Sequence, residues 1–157
     1  MSPHLERTMS VAQRLGTCLT GGDLLALTGD LGSGKTHFVK GLAQAWQIPP
    51  EIVSSPTFTL IHEYPTDSGL TLLHADVYRL SNPQDFWLLG LEGFIHEDVI
   101  TVIEWADRVR EMLPPDVLWI HLELLGAEQR LLKAYSTGPR SCVILDHWKQ
   151  TLSSLPD

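Results

Sequence analysis

Residues 24–41 read LLALTGDLGSGKTHFVKG, and this stretch sets the interpretation of the rest of the chain. The first five residues, 24–28, are apolar or β-branched and predict a short buried strand. A glycine-rich turn follows, and the residues after Lys35 have the composition of a helix. The turn matches the pattern G-x-x-x-x-G-K-[ST] at Gly29, Gly34, Lys35 and Thr36. The sequence therefore predicts a phosphate-binding loop between a strand and a helix.

The residue types in this motif have physical reasons. Glycines let backbone N–H groups approach a phosphate without a Cβ in the way. The ammonium of Lys35 supplies a positive charge near the β- and γ-phosphates, and the hydroxyl of Thr36 is a ligand for Mg²⁺. The alternative interpretation is an ordinary turn before a surface helix with an exposed lysine. The apolar strand before the turn and the helix after it favour the phosphate loop.

A phosphate loop that binds Mg²⁺ requires an acidic residue nearby, and two candidates follow predicted strands. Asp76 follows the stretch LTLLHA, and Glu104 follows VITVI. A lone acidic residue at a strand end is more often a solvated carboxylate. The five apolar or β-branched residues before Glu104 favour a central strand beside the loop strand. We therefore assign the metal to Glu104 and the positioning or deprotonation of the attacking water to Asp76, with the two roles exchangeable.

Two further residues are candidates for contact with the nucleotide. Thr57 lies in SSPTFTL, residues 54–60, where hydroxyl groups and a proline precede a strand. It is a candidate catalytic residue that senses the γ-phosphate, although a plain turn explains this stretch nearly as well. Trp105 directly follows Glu104 and is expected near the nucleotide. The seven histidines are scattered without metal-ligand spacing, so zinc is not indicated.

Length, charge and composition limit the class of protein. The chain has 157 residues, so we expect residues 1–157 to form a single domain. Its formal net charge of −8 disfavours direct, tight binding to RNA or DNA, because nucleic acids favour basic surfaces. No run of about 18 apolar residues is present, so no membrane span is expected. Charges interrupt residues 1–16, where a signal peptide has its apolar segment, and we expect a cytoplasmic protein.

The pattern along the chain predicts an α/β fold. Residues 5–20 have apolar residues at helical spacing. The stretches 58–64 and 70–78 read as strands joined by the turn PTDSG, which predicts an antiparallel hairpin. We expect the C-terminal strands, within 116–148, to belong to the same domain. The other predicted elements are helices at 83–91 and from 106 to about 113, and strands at 98–105, 116–125 and 141–148.

Four blocks of sequence, in this order and at these separations, resemble the bacterial TsaE (YjeE) ATPase family. The blocks are GDLGSGKTHFVKG, SSPTFTLIHEY, LLHADVYRL and VIEWADR. The resemblance extends from about Leu5 to Arg130, and four ordered blocks are far more specific than a phosphate loop alone. Asp76, Tyr78 and Arg79 match the family's H-x-D-x-Y-R element. The resemblance implies an α/β, P-loop NTPase-like three-layer fold whose mixed central sheet includes an antiparallel hairpin.

The resemblance also implies a function. The family supplies the ATPase of the machinery that makes threonylcarbamoyladenosine in tRNA, with ATP and Mg²⁺ bound and the TsaB and TsaD proteins as partners. Any contact with tRNA is expected to be indirect or weak. For this chain, Thr36 and Glu104 would share the magnesium ion, and Lys35, Thr57 and Asp76 would act in catalysis. The residues expected to bind the nucleotide are Thr8, Leu31, Gly32, Ser33, Gly34, Lys35, Thr36, Trp105 and Arg130.

The main hypothesis is an ATPase, slow alone and stimulated by its partners, whose hydrolysis of ATP resets or regulates a multiprotein complex. A small-molecule or nucleoside kinase is the alternative. Such kinases place several arginines around the transferred phosphoryl group, and here only Arg108 and Arg110 form a lid-like pair. A regulatory GTPase is disfavoured because no N-K-x-D guanine signature occurs. The remaining interpretation is a pure binding module whose phosphate loop is inactive.

Overall fold

The computed structural model describes residues 5–56, 60–90 and 96–155. In chain order the elements are α1 (Leu5–Gly16), β1 (Leu24–Thr28), α2 (Lys35–Gln44), β2 (Ile61–Pro65), β3 (Thr71–Asp76), β4 (Val99–Glu104), β5 (Leu118–Leu124), β6 (Arg130–Ser136) and α3 (Pro139–Leu152). Short 3₁₀ helices cover Pro50–Ile52, Pro83–Leu89 and Ala106–Met112. Within the described ranges, no helix combines the length and the apolar character needed to cross a membrane.

The strands form one mixed sheet in the order β2-β3-β4-β1-β5-β6. The four inner strands are parallel, and β2 and β6 pair antiparallel with β3 and β5 at the two edges. Inner parallel strands are covered on both faces and therefore need apolar residues throughout, and β4 is buried at every position. The carboxyl ends of β1, β3 and β4 meet at one edge of the sheet, which is where open α/β sheets bind their ligands.

Apolar side chains cover both faces of the sheet and produce three layers. On one face, the three α-helices bury side chains such as Leu15, Phe38 and Trp148 against the strands. On the other face, the 3₁₀ helices that follow β3 and β4 bury Phe86 and Val109. The structure thus confirms the predicted three-layer α/β fold with a mixed sheet. It also confirms the antiparallel hairpin, which is formed by β2 and β3.

The prediction of a strand at 141–148 is wrong, because this stretch lies within helix α3. Ser141, Ile144 and Trp148 are buried at helical spacing along one side of α3. The carboxylate of Asp116 accepts hydrogen bonds of 2.8 and 2.9 Å from the first backbone N–H groups of the helix, and so caps its start. A valine and an isoleucine inside the stretch favour a strand in isolation. The packing of α3 on the core outweighs that local preference.

The last strand of the sheet is β6, in a region for which no strand was predicted. It pairs antiparallel with β5, from Leu118 opposite Ser136 to Leu124 opposite Arg130. Only one residue of β6 is fully buried, so its apolar pattern is weak and its pairing depends on β5. The predicted helix at 83–91 is a shorter 3₁₀ helix, Pro83–Leu89, which begins at the proline.

Candidate functional site

The loop between β1 and α2 has the form that the motif predicts. Its glycines adopt positive φ angles of 139° at Gly29, 82° at Gly32 and 104° at Gly34, a region that favours glycine. A Cβ on Gly34 would lie 3.0 Å from the side chain of Arg130, so glycine also leaves room for that side chain. Helix α2 begins directly after the loop, at Lys35. A glycine-rich turn that leads into a helix N-terminus presents backbone N–H groups and a positive dipole to an anion such as phosphate.

Lys35 brings a buried positive charge to this loop. Its residue is only 5% exposed, and its Nζ donates hydrogen bonds to the carbonyl oxygens of Gly29 (2.7 Å) and Asp30 (2.9 Å). Burial lowers the pKa of the Lys35 ammonium, while the negative charges of Glu104 and Asp76 act in the opposite direction. The ammonium therefore lies at the loop, where it would serve as a counter-charge for an anion, and two carboxylates act on it electrostatically.

Thr36 and Glu104 form the second part of the site. The hydroxyl of Thr36 donates to both carboxylate oxygens of Glu104, at 3.2 Å each. Glu104 ends β4, which pairs with β1, so the predicted placement of Glu104 on a central strand beside the loop strand is confirmed. The carboxylate is 2% exposed, and its Oε2 lies 2.5 Å from Nε2 of His74. A hydroxyl and a carboxylate in contact are oxygen ligands of the kind that Mg²⁺ prefers.

Asp76 lies next to Glu104, because the two residues are register partners on β3 and β4. The hydroxyl of Ser55 donates to its Oδ2 at 2.9 Å, and the backbone N–H of Tyr78 donates to its Oδ1 at 2.9 Å. These bonds hold the carboxylate in one orientation at the carboxyl end of β3. Thr57, the predicted sensor of the γ-phosphate, lies outside the described residues.

Aromatic rings connect the loop to the 3₁₀ helix after β4. The Lys35 ammonium lies 4.1 Å from the centre of a Trp105 ring, and the rings of Trp105 and Tyr78 are 4.7 Å apart. Arg108 lies over the other ring, 5.5 Å from the centre of Tyr78, and donates a hydrogen bond to the Tyr78 carbonyl. Trp105 has a φ of 60°, which is rare for a non-glycine residue and is concentrated at functional sites.

These side chains surround one cavity of about 500 Å³. Arg130 is 7% exposed, and its Nε donates a 3.1 Å hydrogen bond to the Ser33 carbonyl, which brings the start of β6 against the loop. Ser33 and Thr8 are buried and do not line the cavity, whereas Leu5 of α1 does. The predicted site residues that line it are Leu31, Gly32, Gly34, Lys35, Thr36, Asp76, Glu104, Trp105 and Arg130.

Besides Leu5, further residues that were not predicted as site residues belong to this region, and three of them have informative contacts or charge. His74 contacts Glu104, and the signal in the sequence is its position two residues before Asp76, which places both side chains on one face of β3. Ser55 contacts Asp76, although nothing in the sequence distinguishes its hydroxyl from that of an ordinary turn. His37 lines the cavity; burial lowers the pKa of its imidazole, and two nearby cations lower it further.

Known proteins are similar to this chain in sequence and in fold. The profile of the family described as "Threonylcarbamoyl adenosine biosynthesis protein TsaE" matches residues 2–132. The chain is 39% identical over 135 residues to the tRNA threonylcarbamoyladenosine biosynthesis protein TsaE of Bacillus subtilis, covering 86% of this chain and 83% of the relative. The protein of the same name from Treponema pallidum is 42% identical over 116 residues, with 74% and 84% covered.

The structural comparison gives the same result. A crystal structure of YdiB from Bacillus subtilis superposes with a TM-score of 0.79 at 34% sequence identity, covering 94% of this chain and 90% of YdiB. The glycine-rich loop, the strand-end carboxylates and the six-stranded sheet therefore occur together in a chain that matches the family over most of its length. The chain belongs to the TsaE family of threonylcarbamoyl adenosine biosynthesis proteins.

Proposed function

We propose that the protein is a magnesium-dependent ATPase that acts with TsaB and TsaD in forming the threonylcarbamoyl modification of adenosine in tRNA. Hydrolysis of ATP resets or regulates the complex, in the cytoplasm. Membership of the TsaE family supports the pathway, and the geometry of the cavity supports the chemistry.

The observation that carries the proposal is the contact between Thr36 and Glu104 at the glycine-rich loop. Mg²⁺ in nucleotide sites is held by one or two protein groups together with phosphate oxygens and water. The Thr36 hydroxyl and the Glu104 carboxylate provide such groups, with the Lys35 ammonium beside the same loop. When bound, Mg²⁺ would neutralise charge on the phosphates. The residues present thus fit a magnesium–nucleoside triphosphate.

The remaining side chains have separate tasks in this proposal. Backbone N–H groups of the loop and the α2 N-terminus bind the phosphates, and Lys35 places its charge on them. Asp76 orients a water molecule and accepts its proton, because its carboxylate is held by Ser55 and the Tyr78 N–H at the edge of the cavity. Arg130 supports the loop through the Ser33 carbonyl.

Charge supports a protein partner. The net charge of −8 disfavours direct binding to tRNA and favours a partner with a basic surface. The TsaB–TsaD pair, which the family resemblance implies, is the partner we propose. The alternative, a small-molecule kinase with an arginine lid, receives no support from the pair Arg108 and Arg110. Arg108 lies over Tyr78, and Arg110 lies 3.9 Å from the centre of a Trp119 ring.

The test measures ATP hydrolysis by the full chain with Mg²⁺, with EDTA, and with Mg²⁺ plus TsaB–TsaD. We expect slow hydrolysis that requires Mg²⁺ and rises when TsaB–TsaD is added. Thr36→Val keeps the shape of the side chain but removes the hydroxyl, so hydrolysis should be lost. Thr71→Val makes the same substitution at the start of β3, away from Asp76 and the cavity, and is the matched control. It should hydrolyse ATP at the wild-type rate.

Two results would contradict the proposal. Turnover at kinase-like rates of about 1–100 s⁻¹ with phosphate transferred to a small acceptor would establish the alternative. Equal hydrolysis in Mg²⁺ and EDTA would exclude the proposed metal site. A pull-down of TsaB–TsaD with and without ATP tests the partner separately, and no co-elution under either condition would exclude it.

A further inference from the structure

His74 lies inside the site without contact with solvent. Its exposed fraction is 0%, and its Nε2 lies 2.5 Å from Oε2 of Glu104, which is itself 2% exposed. The two residues lie on the adjacent strands β3 and β4. A short hydrogen bond between two buried side chains on rigid strands fixes the orientation of both groups. His74 therefore fixes the orientation of the Glu104 carboxylate within the site.

When Glu104 is the ionised metal ligand of the proposed function, the imidazole supplies the proton of this hydrogen bond. An ionised carboxylate only accepts hydrogen bonds, so Nε2 of His74 is the donor. The other ring nitrogen, Nδ1, has no hydrogen-bond partner within the described part of the chain. A proton on Nε2 is therefore what the contact with Glu104 requires.

This bond makes the two oxygens of Glu104 unequal. The Thr36 hydroxyl is 3.2 Å from each of them, but Oε2 also receives the His74 N–H. Among the described residues, Oε1 receives only the Thr36 hydroxyl and retains more acceptor capacity. We propose that His74 is a positioning residue that engages Oε2 of Glu104 and leaves Oε1 as the oxygen that faces a divalent cation. The inference rests on the magnesium-dependent function proposed above.

A histidine that only fills space in the core would give a different experimental result. Its loss would lower stability, and any side chain of similar size would replace it. A positioning residue acts through its N–H donor, so only a side chain with a donor can replace it. Substitution of a residue that hydrogen-bonds a metal ligand typically weakens metal binding about 10- to 100-fold. The two roles are separated by His74→Met, which keeps length without a donor, and His74→Gln, whose amide supplies an N–H at a similar reach.

The experiment measures binding of a fluorescent ATP analogue to the full chain as Mg²⁺ is titrated, and repeats the measurement in EDTA. We expect His74→Met to need about 10- to 100-fold more Mg²⁺ for half-saturation than the wild type. Binding of the analogue in EDTA should be unchanged, and His74→Gln should recover most of the loss. Thermal unfolding of both variants checks that they are folded.

Three outcomes overturn the inference. A His74→Met variant with the wild-type requirement for Mg²⁺ does so, and so does an equal loss in His74→Gln and His74→Met. If the wild type itself binds the analogue equally well with and without Mg²⁺, the proposed function fails first, and the inference fails with it. The wild-type titration thus distinguishes the two failures.

A second measurement needs no substitution. The ¹⁵N chemical shifts of the two ring nitrogens report the tautomer of His74 in the wild-type protein. A protonated Nε2 is expected. The opposite tautomer would make Nε2 an acceptor, so that it could not engage Glu104 as proposed, and would overturn the inference even if the variants did not fold.

Discussion

Replacing Lys35 by methionine gives the sharpest test of the phosphate loop. The substitution removes the ammonium but keeps a flexible stem of similar length beside Trp105. We expect ATP to bind more weakly while the protein stays folded. We expect the loss to affect ATP binding more than folding because of where the ammonium lies. It is held at the loop, where it donates to the carbonyl oxygens of Gly29 and Asp30.

The magnitude follows from the contacts of this one group. A hydrogen bond from a charged donor contributes about 1.5–3 kcal/mol, so losing one contact with a phosphate should weaken binding about 10- to 150-fold. The change in the free energy of unfolding should be small, because two contributions of opposite sign partly cancel. The variant loses the loop hydrogen bonds to the Gly29 and Asp30 carbonyls and to the Ser33 hydroxyl, but it also removes a buried charge whose desolvation lowers the pKa of Lys35.

Calorimetric titration of ATP into Lys35→Met, the wild type and Lys40→Met measures this effect. Lys40 lies on the same helix but does not line the cavity, so its variant controls for the loss of a positive charge from α2. Thermal unfolding confirms that each protein is folded. Affinity within twofold of the wild type for Lys35→Met, or an equal loss for Lys40→Met, would refute the assignment of this loop to phosphate.

Three further predictions concern catalysis and stability. Asp76→Asn should lower ATP hydrolysis about 10²- to 10⁴-fold with little change in ATP affinity; an unchanged rate would remove Asp76 from proton transfer. Trp148→Ala, which loses a side chain 4% exposed and bonded to the Val11 carbonyl at 3.0 Å, should lower the free energy of unfolding in urea by about 3–5 kcal/mol. A loss below about 1 kcal/mol would contradict the packing of α3. Asp116→Ala should lower the free energy of unfolding in urea by about 0.5–2 kcal/mol at pH 7, since this carboxylate caps α3.

The Asp116 effect should also depend on pH. Partial burial raises the pKa of the Asp116 carboxyl, but hydrogen bonds from Ser141 and Arg140 outweigh it and hold the pKa below its ordinary value of 3.8. A lowered pKa in the folded state stabilises the protein above the unfolded pKa. That stabilisation is lost as the pH falls through the folded value. The free energies of unfolding of Asp116→Ala and the wild type should therefore differ less below about pH 4 than at pH 7. A difference in unfolding free energy that stays constant with pH would contradict this account.

The parts of the site that could be predicted are those determined by local pattern and strand order. The loop from Gly29 to Thr36 follows from glycine geometry and from its position between a strand and a helix. Parallel strands bring their carboxyl ends to one edge, so two strand-end acids, Asp76 and Glu104, could be expected to meet there. The three-layer arrangement follows from the same alternation of strands and helices.

The parts that could not be predicted depend on contacts between distant residues. Residues 141–148 contain β-branched residues that favour a strand locally, and their helical form depends on packing against α1 and on the Asp116 cap. Strand β6 is half-exposed, so its pattern alone does not reveal its pairing with β5. The bond between His74 and Glu104 is diagonal across two strands, so the spacing that places His74 on the same face of β3 as Asp76 does not identify its partner.

The central position of β1 has a consequence for the growing polypeptide. A ribosome makes β1 and its glycine-rich loop well before the strands on either side of β1, Val99–Glu104 and Leu118–Leu124. Until then, the apolar residues of β1 have no sheet partner, and Thr36 has no Glu104 to contact. Pairing between distant parallel strands is also slow to form. The glycine-rich loop is therefore translated well before the strands that complete the site around it, and the site is assembled only when they pair with β1.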